Sequence, residues 1–270
     1  IGQLNLGGVG SPKVVGSAIG LDEAIRKGLV SSVGGFDAKA AEDAQKFAVE
    51  NSRMKIPLIT GLDVVHGYYT IFPIPLASAC SWNMPLLEES ARVAADEASA
   101  FGINWTFAPM VDICRDPRWG RIAEGAGEDP CLGSRIGRAM VRGFQGDDLS
   151  KPNTLLACVK HFALYGASEA GRDYNTVSMD PVTMYNYYLP PYKAAFDEGA
   201  GSGMTSFNVV NGVPATGNKW LLTDLLRDQW KFKGFMVSDA NSLAEMSEHG
   251  MGGAQRITEL AMNAGLDMDM

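Results

Sequence analysis

Short apolar, β-branched runs alternate along the chain with stretches whose apolar positions recur at helical spacing. Residues 28–33 and 56–65 read as strands, and residues 37–52 between them as a helix with Ala41, Ala44, Phe47 and Ala48 on one face. Residues 85–101 carry Leu86, Leu87, Ser90, Val93, Ala94, Glu97, Ala98 and Phe101, a mostly apolar stripe. The alternation predicts further strands at 103–111, 155–162, 203–210, 235–238 and 266–270. Helices are predicted at 133–144, 181–199, 219–230 and 243–264. Strand, helix, strand at this spacing means parallel βαβ units, and near-continuous apolar strands mean a sheet covered on its faces.

Seven strands are countable and an eighth is not. Several of them end in polar residues: Asp63, Asp112, Lys160 with His161, Asn208, Asp239, and Asp267 with Asp269. Charges at the carboxyl ends of successive parallel strands converge on one face, where α/β barrels place their chemistry. The predicted fold class is therefore α/β, a TIM-like (β/α)8 barrel that is incomplete or irregular, in preference to an open doubly wound sheet. No Gly/Ser-rich linker or internal repeat divides the chain, so residues 1–270 are expected to form one domain. The opening IGQLNL reads as the end of a helix, and strand 266–270 has no covering helix after it. Both ends are those expected of a fragment of a longer protein.

Composition narrows the function classes. The 270 residues carry a formal net charge of −8, the wrong sign for a nucleic-acid partner, which needs a dense basic surface. No apolar run of about 18 residues exists, so no membrane partner is expected. Cys80, Cys114, Cys131 and Cys158 are scattered without a CxxC pair and read as buried free thiols. Three histidines give little support to a metal site, and neither metal nor cofactor is expected.

Asp239 follows the strand in KGFMVSDA. A carboxylate on that rigid scaffold can attack or stabilise a cationic centre, as glycosidic cleavage requires; equally, it can cap the next helix. Lys160 and His161 close LLACVKHFA and can donate hydrogen bonds to hydroxyls, provided the strand bends enough to turn both to one side. A structural ion pair is the plain alternative for Lys160, and a Schiff-base lysine of an aldolase the sharper one. In the loop CRDPRWGRIAEGAGEDP, Arg121 can fork onto vicinal hydroxyls and Trp119 can stack on a sugar face. Glu128 and Asp129 there read as members of the loop's own ion pairs. Asp63, ending ITGLD, reads as a buried carboxylate that either accepts two sugar hydroxyls or is a satisfied core group; His66 reads as structural.

Taken together, DVVHGYYTIFPIPLASACSWN, INWTFAPMVDICRDPRWGRIAEGAGEDP, VKHFALYGASEAGRDYNTV, YLPPYKAAFDEGAGSGMTSFNVVNGVPAT, LLTDLLRDQWKFKGFMVSDA and NAGLDMDM resemble the first domain of glycoside hydrolase family 3, nearest to bacterial β-glucosidases. The resemblance covers essentially the whole chain in the family's order. It implies a barrel followed by an α/β sandwich domain and a retaining double displacement on a terminal β-D-glucosyl or related residue. It makes Asp239 the nucleophile and gives Asp63, Arg121, Lys160 and His161 the terminal sugar's hydroxyls, with Met204 and Phe207 nearby. The acid/base is then expected from the following domain, outside this chain, and the substrate partner is an oligosaccharide or β-glucoside. A periplasmic or secreted location follows from the same resemblance.

This chain also departs from the pattern. Ala240 stands where relatives carry Trp, Tyr or His, Tyr69 where many carry Arg, and Val209 follows Asn208 where Glu is common. With the acid missing, these changes keep open the alternative of a sugar-binding barrel with weak or no turnover.

Overall fold

The computed structural model describes residues 4–8, 20–34 and 38–270. In chain order its elements are β1 (Leu4–Gly8), α1 (Leu21–Lys27), β2 (Val30–Gly34), α2 (Ala38–Asn51), β3 (Ile59–Leu62), α3 (Pro75–Ala79), α4 (Met84–Ala100), β4 (Trp105–Thr106), α5 (Pro130–Gln145) and β5 (Leu156–Phe162). There follow α6 (Pro181–Thr183), α7 (Pro190–Asp197), β6 (Ser202–Thr205), β7 (Val209–Val210), β8 (Val213–Pro214), β9 (Phe235–Val237), α8 (Ser242–Glu248) and α9 (Ala254–Ala264). Among the described residues the sheet order is β1-β2-β3-β4-β5-β6-β9, all parallel, with β7 and β8 forming a separate antiparallel pair.

The sheet curls. Met268 bridges to Val237 beyond β9, and the Ser32 hydroxyl of β2 donates to Met268 Sδ at 3.5 Å, joining residues 236 positions apart. The expected incomplete, TIM-like barrel is what the chain forms. Its interior is filled by Trp105, Phe107, Cys158, Met204, Val237 and Met268. Trp105 is fully buried, lies edge-on to Phe107 at 4.8 Å, and donates its indole N–H to Ser202 Oγ at 2.8 Å.

Helices cover the outside as the 3.6-residue pattern dictates. Asn83 accepts the Leu86 N–H at 3.2 Å to start α4, and Asp129 accepts the Leu132 N–H at 2.7 Å to start α5. The alanine face of α4 (Ala91, Ala94, Ala95, Ala98) is buried. Gly143 of α5 permits the close crossing: a Cβ there would lie 2.4 Å from the Glu88 carbonyl oxygen.

Several boundaries differ from the sequence reading. Leu4–Gly8 is a strand, not a helix end, because β2 offers it a parallel partner; pairing overrides local pattern. Ile1 to Gln3 lie outside the described residues. The predicted strand 103–111 shrinks to Trp105–Thr106, since Pro109 has no N–H to donate; pairing resumes at Met110, opposite Lys160. The strand at 203–210 ends at Thr205, and VVNGVP turns back as a hairpin with Asn211 at φ 48° and Gly212 at φ 89°. Asn-Gly flanked by apolar residues is the signal that could have found it. Helix 181–199 is interrupted by a π-helical stretch, Met184–Tyr188, and Trp220–Gln229 is π-helical throughout. Helix 243–264 breaks into α8 and α9 at HGMGG, where Gly250 and Gly252 take φ 79° and 114°. The last predicted strand is reduced to isolated bridge residues, Met268 and Asp269, with Met268 paired to Val237.

Cys114 and Cys158 are buried free thiols as expected, whereas Cys80 and Cys131 are exposed. No described helix is long and apolar enough to cross a membrane.

Candidate active site

At the carboxyl ends of the strands lies a cleft of about 490 Å³, within the range of small-molecule sites. It is lined by Asp63, Arg121, Glu124, Lys160, His161, Met204 and Asp239, with Val65, His66, Phe107, Ile71, Ile74 and Ala240 among its walls. A neighbouring apolar recess between the barrel and α4 holds only about 30 Å³, the space of a water, and cannot take a sugar.

β9 presents Asp239. Among the described residues its Oδ1 accepts the Ala240 N–H alone, at 2.7 Å, and its side chain is 15% exposed. The helix-capping alternative is not what the fold uses: the N-cap of α8 is Asn241, which makes no side-chain cap bond.

β5 presents Lys160 and His161 together. A register irregularity between Val159 and Phe162 interrupts the strand's alternation, the local bend that the sequence reading required. Lys160 Nζ lies 2.6 Å from Asp63 Oδ1, the contact of an ion pair, which disfavours the Schiff-base alternative. Asp63 itself is 61% exposed at the mouth, not buried as expected, because β3 ends just before it, at Leu62, and leaves its side chain at the rim.

His161 is enclosed. Its Nε2 stands 3.3 Å from Asp239 Oδ2 and 3.3 Å from Arg121 Nη2, while Nδ1 faces Asp112 Oδ2 at 2.9 Å. The Tyr165 ring meets His161 edge-on at 5.2 Å, and the Arg121 guanidinium lies over the same ring. Arg121 forks onto Glu124 at 2.7 and 2.9 Å. Burial opposes the Arg121 charge, but Glu124 and then Tyr165 overcome it and hold the guanidinium protonated.

Glu124 is shifted the other way. Burial pushes its carboxyl up, but the bonds and charge of Arg121, with Lys160 and His161 behind, outweigh this and bring it below the usual glutamate range. A group lowered in the folded state contributes stability above its unfolded value, and that stability is lost as pH falls through the folded value. Glu124→Gln is therefore expected to destabilise the protein near neutrality and to flatten the acid side of its stability profile. Urea midpoints between about pH 3 and 7 measure this; an unchanged acid limb would show that the pair contributes nothing.

The remaining candidates fall elsewhere. Phe207 does not line the cleft; it packs against Tyr174 at 4.6 Å and Tyr165 at 5.7 Å. Trp119 is 3% exposed and donates to Asp173 at 3.0 Å, so no face is free for a sugar: the ring is drawn into the core against Tyr165. Asp129 caps α5 instead of forming an ion pair within the loop, and Asp116 and Arg118 supply that pair. Asn208 is buried, Asp267 binds Arg227, and Asp269 accepts from Ser238. Tyr69 points outward, stacked on Phe101 at 5.2 Å. His66 lines the cleft while its Nδ1 lies 3.1 Å from the Phe72 carbonyl.

Two residues were missed. Asp112 was visible as a strand-end acid but given no role. Tyr192 carries no sequence signal, because α7 brings it to Asp112 from 80 positions away. Among the described residues no cluster of His, Cys, Asp and Glu could hold a metal.

Residues 22–270 match the model of the glycosyl hydrolase family 3 N-terminal domain. The chain is 44% identical to a periplasmic β-glucosidase of Salmonella typhimurium over all of its length and 35% of the relative's. It is 37% identical to a β-xylosidase of Formosa agariphila, over 87% of this chain and 34% of that one. A crystal structure of a β-glucosidase from Listeria innocua in complex with isofagomine superposes with a TM-score of 0.91 at 43% identity, covering 99% of this chain and 38% of that one. The chain thus spans about a third of the length of these relatives. Motif order, barrel geometry and sequence identity agree: this chain belongs to glycosyl hydrolase family 3, and residues 22–270 are its N-terminal domain.

Proposed function

We propose that this chain is the barrel of a retaining, exo-acting β-glycosidase that releases terminal β-D-glucosyl residues. The observation that carries the reading is Asp239: a carboxylate facing the cleft, whose Oδ1 accepts the Ala240 N–H and whose Oδ2 lies 3.3 Å from His161 Nε2, with Lys160 and Arg121 lining the same cleft.

The chemistry follows from the donor set. Asp239 attacks the anomeric carbon, the bond to the leaving oxygen breaks, and a glycosyl ester forms; water then cleaves the ester with retention. Asp63, Lys160, Arg121 and His161 hold the hydroxyls of the sugar, and Met204 packs beneath it. Asp63 and Glu124 are already engaged by Lys160 and Arg121, and Glu124 is shifted towards the ionised form, the wrong direction for a general acid. The acid is therefore assigned to the part of the relatives' length that residues 1–270 do not span, in a domain separate from this one. The relatives named β-glucosidase support glucose, and the Salmonella relative's name supports a periplasmic location.

The same pairing favours a second reading of residues 1–270 taken alone, as a sugar-binding barrel that turns over natural glucosides slowly. A 2-deoxy-2-fluoro-β-glucosyl fluoride separates the two, because fluoride leaves without a proton while the 2-fluorine slows hydrolysis of the ester. Peptide mass analysis is expected to find one glycosyl adduct, on Asp239. An adduct on another residue under inactivating conditions overturns the assignment. No adduct at all, with sugar bound, leaves the binding reading.

A further inference from the structure

We propose that Asp112 and Tyr192 are positioning residues that lock the His161 ring so that its Nε2 edge meets Asp239. The inference rests on the glycosidase reading above and extends it to two residues outside the cleft lining.

Asp112 and His161 have side chains 0% and 1% exposed, so neither exchanges partners with water. Asp112 Oδ2 accepts the His161 backbone N–H at 2.9 Å and lies 2.9 Å from ring Nδ1. A carboxylate only accepts, so the nitrogen facing it carries the proton, and the ring can neither flip nor change tautomer without breaking that bond. The edge left for the cleft is Nε2, 3.3 Å from both Asp239 Oδ2 and Arg121 Nη2.

Tyr192 fixes Asp112 in turn. Its hydroxyl donates to Asp112 Oδ1 at 2.5 Å, and its oxygen lies 2.8 Å from the His161 carbonyl. Burial, then the neighbouring Asp112 charge, push this phenol well above its ordinary range, so it remains a donor. Backbone and ring of His161 are thus held from one side by two residues brought from β4's continuation and from α7. Outer partners of this kind set the orientation of the groups that touch substrate.

The test uses the full-length protein and the rate of Asp239 labelling by the 2-fluoro glucosyl fluoride, resolved into a maximal rate and a half-saturating concentration. Asp112→Asn keeps the shape but turns one acceptor into a donor. Its maximal rate is expected to fall about 10²-fold, the cost of a small misplacement, with the half-saturating concentration nearly unchanged. Tyr192→Phe leaves Asp112 in place and is expected to lose roughly threefold to tenfold in maximal rate, the size of one hydrogen bond. It decides the matter if Asp112→Asn does not fold. Variants that melt earlier yet label Asp239 at the wild-type rate overturn the positioning role and leave only a structural one. If the wild-type protein is itself not labelled, the glycosidase reading falls, and this assignment with it.

Discussion

Replacing Asp239 by asparagine is expected to lower kcat on an aryl β-glucoside by at least about 10³-fold, with KM moving only a few-fold. The amide has almost the same shape, so on the proposed reading the sugar's hydroxyls are expected still to find Lys160, His161, Arg121 and Asp63, which line the same cleft. What disappears, on the proposed reading, is the negative oxygen that forms the covalent bond. Ground-state binding is thus preserved while an interaction realised only in the transition state is removed, and such a change appears in kcat. Initial rates at saturating glucoside, with calorimetry for glucose binding, separate these terms. Activity within tenfold of the wild type would mean that another group attacks. Full loss of glucose binding would mean that Asp239 holds the sugar instead of reacting with it.

Trp105→Ala is expected to destabilise the barrel by about 3–5 kcal/mol, the usual cost of truncating a fully buried tryptophan. The indole is 0% exposed, is wedged against Phe107 and Phe235, and donates to Ser202 Oγ. Ser202 keeps its bond to the Ala157 carbonyl at 2.8 Å, so the loss is mostly one of packing and cavity, not of an orphaned hydroxyl. Phe107 also lines the cleft, so the cavity sits directly beneath the site and sugar binding should weaken with stability. Urea midpoints of the wild type, Trp105→Ala and Trp105→Phe measure the first effect. A shift below about 1 kcal/mol for the alanine variant would show that the interior collapses around the gap.

Much of the fold was legible because strand and helix leave different periods in the chain. The α4 stripe was found within a residue of each end, since its alanine face, Asn83 cap and Pro85 all act locally. One error sits where a distant partner decides: Leu4–Gly8 became a strand by pairing with β2, whereas the shortening of strand 103–111 to Trp105–Thr106 follows from Pro109, a local signal within the predicted span. Two further errors, at the Asn211–Gly212 turn and in HGMGG, ignored glycine signals that the chain does carry.

For the site, local pattern supplied the types of group and their places at strand ends: Asp63, Lys160, His161 and Asp239 all reach the cleft. Exposure escaped it. Asp63 is open and Trp119 closed, the reverse of their expected roles, because exposure depends on what packs over a residue and not on the residue.

The sequence by itself determined the alternation of strand and helix, the strand-end acids and bases, and the family. Each is written in short windows of residue type and spacing. Only the tertiary structure decided which charges meet: Lys160 with Asp63 across 97 positions, His161 with Asp112 across 49, and Asp112 with Tyr192 across 80. Partnership between side chains is a matter of a few ångströms in space, and the closing of the sheet, not the order of the chain, sets those distances.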